Sequence, residues 1–432
     1  MGLGFQSSFL FASPGAGGMF FMWQGLLGIL VFTAIPILLS ENRRAISPRM
    51  TLACLLLQFA VAWIMLRVTW VQSALLGLNS AVKTLEQAAL AGSSYMFGYL
   101  GGADLPFVAD GPGSPFIIAF QVLPIVLVMS ALSAILFYWG VLQKVIGGLG
   151  FLLQKALRLD GLQTFSVASS VFFGIVEAPL LVRPYFQSMS RSTLFLLITA
   201  AMSTVAGTVM VLYASQLENI VANPAGHILV ASLISMPAAV LFAQMWVPPS
   251  DRLEHHVPTV QSEAQSTLDA LVRGTEDGVK LLLNIIGMIV VLFALIYLVN
   301  ALLGAVFGER ISLEYLASIL FHPVVWLMGV DSADIPQAAE LMSIKLIFNE
   351  FVAYQKMAEL GPEAMSSHSN LILVYAICGF ANFASLGLVV GTISTIVPGR
   401  TAEVAYLATR ALFAGLLATC MTGTVVGLLQ GF

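Results

Sequence analysis

The stretch FFGIVEAPLLVRPY, residues 172–185, sets a carboxylate, Glu177, three residues after Gly174 and two before Pro179. Its setting is a chain of 432 residues that is 59% hydrophobic and only 9% charged, with a mean hydropathy of +0.94. A soluble domain carries about 25% charged residues, so this is a polytopic membrane protein. An ionised side chain at the bilayer centre costs about 2.5–3.5 kcal/mol on insertion scales and marks a functional site by default. Glycine and proline beside it are poor helix formers. The stretch therefore reads as two half-helices meeting at depth, with backbone groups facing a cavity into which Glu177 brings charge.

A span needs about 20 apolar residues. The sequence supplies eight: 19–40, 51–72, 115–142, 192–215, 227–248, 281–307, 370–397 and 402–430. LNSAVKTLEQAALAG (78–92), with Lys83 and Glu86, reads as an amphipathic helix lying along an interface. Residues 163–190 and 335–362 are apolar but interrupted, the first at Gly174 and Pro179, the second around Asn349-Glu350. Arg43, Arg44, Arg49, Lys144, Lys155, Arg158, Arg183, Arg191, Arg252, Arg273, Lys280 and Arg400 fall in segments that share one side if both interrupted segments return to the face they entered from. SQLENIVANPAGH (215–227) carries no Lys or Arg, and the loop after the sixth span has Arg310 alone. The positive-inside rule then puts the basic loops in the cytoplasm and both termini outside. No basic n-region precedes the first span, so that span is expected to be retained.

An odd number of crossings separates the two interrupted segments, so they enter from opposite faces. Each carries one glutamate, Glu177 or Glu350, and each is followed by two spans. A re-entrant hairpin plus two helices, repeated upside down, is the inverted-repeat plan of secondary transporters. The expected fold is all-α: eight transmembrane helices, two re-entrant hairpins and interfacial helices. Residues 1–142 form scaffold helices and the interfacial helix, and 143–250 the first transport repeat. Residues 251–330 hold a cytoplasmic loop, a scaffold span and an external loop, and 331–432 the second repeat.

Each glutamate has a structural alternative, a salt bridge from Glu177 to Arg183 or from Glu350 to Lys345. In CGFANFASLG (378–387), Asn382 and Ser385 are three apart and would share a helix face, with Phe380 nearby. Small residues at 381, 384, 385 and 387 allow close backbone approach. MSTVAGTVM (202–210) has the same small-and-hydroxyl character; both stretches also fit interhelical glue. Arg67 is expected to snorkel or to pair with a helix end. His255 and His256 read as solvated, and His322, before Pro323, as loop-like. Cys54, Cys378 and Cys420 sit in apolar runs, too scattered for a disulfide framework or metal site, and read as packing residues. No basic patch with interleaved aromatics points to nucleic acid.

Four motifs, GIVEAPLLVRPY (174–185), STVAGTVM (203–210), NEFVAY (349–354) and GFANFASLG (379–387), resemble the concentrative nucleoside transporter family, in its order and over the chain from about residue 90 onward. The resemblance implies a homotrimer in the bacterial inner membrane, in contact with lipid, that imports nucleosides on a sodium or proton gradient by alternating access. Glu350, Asn382 and Ser385 would bind ribose hydroxyls with Phe380 packing nearby; Gly174, Ile175, Val176 and Glu177 would lie on the base side, and Val209 would pack against the base. The family commonly has Gln-Thr or Gln-Ser where this chain has Ile175 and Val176, so base recognition should be looser or shifted. Sodium-coupled relatives place asparagine four residues before the hairpin glycine, where this chain has Ser170. The other ligands of a sodium site would be the backbone oxygens of Phe173 and Val205 and the hydroxyl of Thr204. Serine is shorter than asparagine, and the proton is the favoured coupling ion, with Glu177 or Glu350 as its carrier; no other cofactor is implied. Rival readings are an intramembrane hydrolase, disfavoured because nothing supplies a nucleophile or metal, and a sensor or channel of the same fold that does not concentrate its ligand.

Overall fold

The computed structural model describes residues 16–107, 117–249, 262–308 and 311–430, and side chains from residue 21 onward. In chain order the helices are α1 (Ala16–Leu39), α2 (Pro48–Arg67), α3 (Thr69–Phe97), α4 (Ile118–Gln121), α5 (Ile125–Tyr138) and α6 (Val141–Leu157). Then come α7 (Gly161–Ser169), α8 (Glu177–Leu181), α9 (Arg191–Ser203), α10 (Gly207–Gln216), α11 (Pro224–Trp246) and α12 (Thr267–Phe307). The last six are α13 (Leu313–Leu327), α14 (Ile335–Ile347), α15 (Glu350–Leu360), α16 (Ser367–Ile377), α17 (Phe383–Ile396) and α18 (Thr401–Gln430). Side-chain caps start many of them. Ser47, Asp160, Ser190, Ser266, Ser312 and Ser366 each accept a hydrogen bond from a first-turn N–H, answering donors that a helix cannot pair internally.

Among the described residues seven helical stretches are long and apolar enough to cross a membrane. The seventh expected span, 370–397, is two helices, α16 and α17, separated at Cys378–Asn382. The span expected at 192–215 is also interrupted, between α9 and α10 at Thr204–Ala206. Neither break contains a proline, and for that reason hydropathy alone passed over them. Both interrupted segments read from the sequence are present: α7 and α8 flank a break at 170–176, and α14 and α15 flank one at 348–349. Pro179 does not open the first. It lies in the first turn of α8, where a missing N–H removes no helical bond.

Three further expectations change. The amphipathic run 78–92 is part of the longer α3, in which Lys83 pairs with Glu218 at 2.8 Å. Helix α12 begins at Thr267, fourteen residues before the apolar run expected from 281, because Ser266 caps it and Asp269 pairs with Arg273 in its first turns. His322 and Pro323 lie inside α13, not in a loop; the imidazole binds back to the Ser318 carbonyl at 2.6 Å. His255, His256, Arg252 and Arg310 lie outside the described residues.

Helices α9, α11, α16 and α18 pack against one another and form the buried centre. The apolar window of α11 is 89% buried, whereas that of α12 is 6% buried although α12 packs along α5. At one end of the bundle the Glu41 carboxylate, just past α1, accepts from Arg191 at 2.8 Å and Arg410 at 2.5 Å. Arg400 bonds Glu403 and the carbonyls of Phe186 and Met189, all at 2.8 Å. The loops after α1, before α9 and before α18 therefore meet. Arg67 donates to the Leu429 carbonyl at the end of α18, 2.7 Å away, the helix-end pairing expected for it. The three cysteines are buried and unpaired, as packing residues are.

Candidate functional site

Every interrupted helix leaves backbone donors and acceptors without their usual partners, and in a membrane these must be answered by protein. Here the breaks answer one another. The Thr204 hydroxyl donates to the carbonyls of Ser170 (2.8 Å) and Ala200 (2.9 Å), and the N–H of Gly207 donates to Phe172 O at 3.1 Å. Those contacts tie the break at 204–206 to the one at 170–176. Phe380 N–H in turn donates to Thr204 O at 3.3 Å, tying in the break at 378–382. Gly379 makes that approach possible: its φ is +154°, and a Cβ there would stand 2.7 Å from Thr419 Cγ2 and 3.1 Å from Ser203. Asn382 Nδ2 then donates to Glu350 Oε2 at 2.9 Å and brings in the fourth break. Four interruptions thus form one hydrogen-bonded cluster.

Glu350 opens α15 directly after Asn349, whose side chain caps that helix by accepting from Val352 N–H at 2.9 Å. A carboxylate in a first helical turn is favoured by the helix dipole. Glu350 is 4% exposed, and its other oxygen accepts from the Tyr213 hydroxyl at 2.6 Å. Tyr213 was not singled out from the sequence. Its position six residues beyond Gly207 gave no signal, since only the packing of α10 on α15 carries the phenol to Glu350. Lys345 is no salt-bridge partner of Glu350. Its ammonium, fully buried, donates to Ala376 O at 2.8 Å and Thr419 Oγ1 at 2.7 Å.

Asn382 and Ser385 do not share a helix face, because Asn382 is the N-cap of α17 and not a helical residue. Its Oδ1 accepts from Ser385 N–H at 2.7 Å while Nδ2 holds Glu350. Phe380 is half-buried; Ser385 and Val209 are each 5% exposed.

Glu177 is half-buried at the start of α8, which packs beside α17. Its carboxylate folds back over Gly174, so that a Cβ at Gly174 would collide with Oε2. Arg183 is exposed and makes no ion pair with Glu177 among the described residues. Ile175 is 5% exposed and Val176 half-buried. The Ser170 hydroxyl turns back along α7 to Val167 O at 2.8 Å. Each of two breaks also rests on the α5–α12 pair: Phe173 meets Phe137 edge-on at 5.5 Å between centroids, and Phe348 meets Phe293 at 4.7 Å. A cleft of about 420 Å³ beside Phe293 and Phe348 is lined by Glu314, Glu340 and Glu359, and none of the candidate residues faces it.

Three family profiles match the chain in sequence: "Na+ dependent nucleoside transporter N-terminus" over 27–100, "Nucleoside recognition" over 119–219 and "Na+ dependent nucleoside transporter C-terminus" over 227–427. A putative nucleoside permease of Escherichia coli, NupX, is 34% identical over 94% of this chain and 99% of its own length. The chain belongs to the concentrative nucleoside transporter family. Members of this family are transporters and not enzymes. The transporter is also 31% identical to the rat sodium/nucleoside cotransporter 1, over 93% of this chain and 63% of that protein. The solved structure of CNTnw in an inward-facing substrate-bound state matches with a TM-score of 0.87 and 31% identity, over 96% of this chain and 99% of that one.

Proposed function

We propose that this transporter is a cation-coupled symporter that imports nucleosides across the bacterial inner membrane by alternating access. The observation that carries this reading is the buried Glu350 carboxylate, held by Tyr213 and Asn382 where four interrupted helices meet. An ionised carboxylate only accepts hydrogen bonds and has about four lone-pair sites. Two donors engage it, which leaves capacity for two sugar hydroxyls. Ser385 and Phe380 complete the sugar side. Glu177, Gly174, Ile175, Val176 and Val209 form the base side, where two apolar side chains replace hydrogen-bonding groups.

The proton is the favoured coupling ion. Ser170 stands where sodium-coupled relatives place asparagine, and its hydroxyl is turned to its own helix at Val167. The sodium alternative would use Ser170, the carbonyls of Phe173 and Val205, and the Thr204 hydroxyl, oxygen ligands suited to a hard cation. The two interrupted pairs α7/α8 and α14/α15 are re-entrant hairpins of an inverted repeat, the termini lie outside, and the exposed apolar length of α12 faces lipid and the neighbouring copies of a homotrimer. Uptake by the purified protein in vesicles, with sodium or proton gradients imposed and a nucleoside competition panel, tests all of this. Accumulation against a gradient is expected, driven by protons with or without sodium. Uptake that follows sodium and ignores pH refutes the proton reading; no accumulation at all refutes symport.

A further inference from the structure

A lysine with no carboxylate paired to it among the described residues, fully buried in an apolar chain, calls for an account. The ammonium of Lys345 touches two oxygens, and one of them, Ala376 O, is a carbonyl of the last turn of α16. In an unbroken helix that carbonyl would accept from the N–H of residue 380, four positions on. Phe380 N–H goes instead to Thr204 O. Lys345 Nζ therefore stands in for the missing donor, at the end of a helix where the backbone dipole favours a cation. The same substitution recurs half a turn earlier. Val374 O, which residue 378 would have satisfied, accepts from the Tyr354 hydroxyl at 2.7 Å. Lys345 closes α14 and Tyr354 lies on α15, so the two flanks of the break at 348–349 each send one donor to the end of α16.

We propose that Lys345 and Tyr354 are positioning residues for the sugar side of the site: they hold α16 open at 378–382 by replacing its lost backbone donors, and so set Asn382 against Glu350. The anchoring at Thr419 of α18 fixes the Lys345 side chain from the other side. This deepens the nucleoside-binding reading and rests on it for its transport consequences. Its structural content is separate.

The test uses full-length protein with Lys345→Met, Lys345→Arg, Tyr354→Phe and Thr419→Val, and two readouts. The first is alkylation of Cys378, a buried thiol inside the break, located by peptide mass spectrometry. The second is the KM ratio between a ribonucleoside and its 3′-deoxy analogue in vesicle uptake. Hydrogen bonds to a charged group are worth enough that Lys345→Met should raise Cys378 alkylation by roughly tenfold or more and collapse the sugar discrimination by a similar factor, with preference among bases retained. Lys345→Arg should recover part of both, and Tyr354→Phe and Thr419→Val should each give a change of about three- to tenfold. Wild-type alkylation and wild-type sugar discrimination in the Lys345→Met protein overturn the proposal. Should that variant not fold, the same null result in Tyr354→Phe and Thr419→Val overturns it. Alkylation that responds in a protein whose wild type takes up no nucleoside keeps the positioning role and rejects the transport reading.

Discussion

In the segment 335–396 both helices that restart after an interruption do so on an asparagine. Asn349 caps α15 and Asn382 caps α17, and the second also holds Glu350. In the segment 161–216 the corresponding positions are Val176 before α8 and Ala206 before α10, and neither provides a side-chain cap. There the backbone is answered by the neighbouring break, through Phe172 O and Ser170 O, and by the Ser232 hydroxyl of α11, which accepts from Val205 N–H at 3.3 Å. The consequence reaches the two glutamates. Glu350 is clamped on both oxygens and 4% exposed; Glu177 is half-buried and folds onto its own loop. Two carboxylates that look alike in the sequence therefore differ in preorganisation. One is fixed by a network of side chains, and a fixed acceptor discriminates hydroxyl geometry. The other lies beside the apolar Ile175 and Val176 and has no side-chain donor fixing it among the described residues.

The largest effect should come from the clamped carboxylate. Glu350→Gln replaces a buried charge held by two donors with a neutral amide, one half of which is itself a donor facing Tyr213 or Asn382. Nucleoside uptake should fall about a hundredfold or more, with the protein still folded, as measured by initial rates in vesicles. Uptake above a tenth of the wild-type rate would break the contrast between the two halves.

Next is Tyr213→Phe, which removes one charge-assisted bond and nothing else of the side chain's bulk. A loss of about 1.5–3 kcal/mol corresponds to a ten- to hundredfold rise in KM for ribonucleosides, with Vmax less affected. An unchanged KM would mean that Tyr213 does not preorganise Glu350. Smaller again is the double change Ile175→Gln with Val176→Thr. Hydrogen-bonding groups restored on the base side should shift relative preference among nucleosides by about two- to tenfold, read from the competition panel. No shift would show that these positions do not face the base.

The smallest effect concerns Glu41, far from the breaks. The Arg191 guanidinium, hydrogen-bonded to it, holds its carboxyl below the usual glutamate range; Arg410 acts in the same sense and burial opposes them. A carboxyl with a lowered folded-state pKa stabilises above its unfolded value, about 4.3, and that contribution is lost as pH falls further. The apparent melting temperature in detergent should be level above about pH 5 and fall below it. Glu41→Gln should remove part of that fall; a curve unchanged by the substitution would show that the rim cluster adds no stability.

Charge scarcity made the membrane class legible at once, and within it Glu177 and Glu350 stood out because a buried carboxylate is costly. The interruptions at 170–176 and 348–349 were legible for the same reason: polar and glycine residues stood where an apolar helix should continue. Those at 204–206 and 378–382 were not. STVAG and CGFAN are built of small and apolar residues that an unbroken span would also tolerate, and hydropathy measures transfer into lipid, not continuity of backbone hydrogen bonding. Asn382 was found as a residue and misplaced as a structure, since i and i+3 on a helix and an N-cap with its third residue share the same spacing. Tyr213 and the true partners of Lys345 were invisible, because they lie on helices distant in the chain.

By itself the sequence determined the solvent in which this chain folds, the helical class that follows from satisfying every backbone group internally, and the two acids whose presence at depth required a use. The tertiary structure decided which donors meet which acceptors. A broken helix end can be answered by any nearby polar group, and only the packing of α10 on α15, of α14 and α15 on α16, and of α7 on α9 selects among them. For that reason the chemistry-bearing residues could be named from one dimension, while the difference between a clamped carboxylate and an open one appeared only in three.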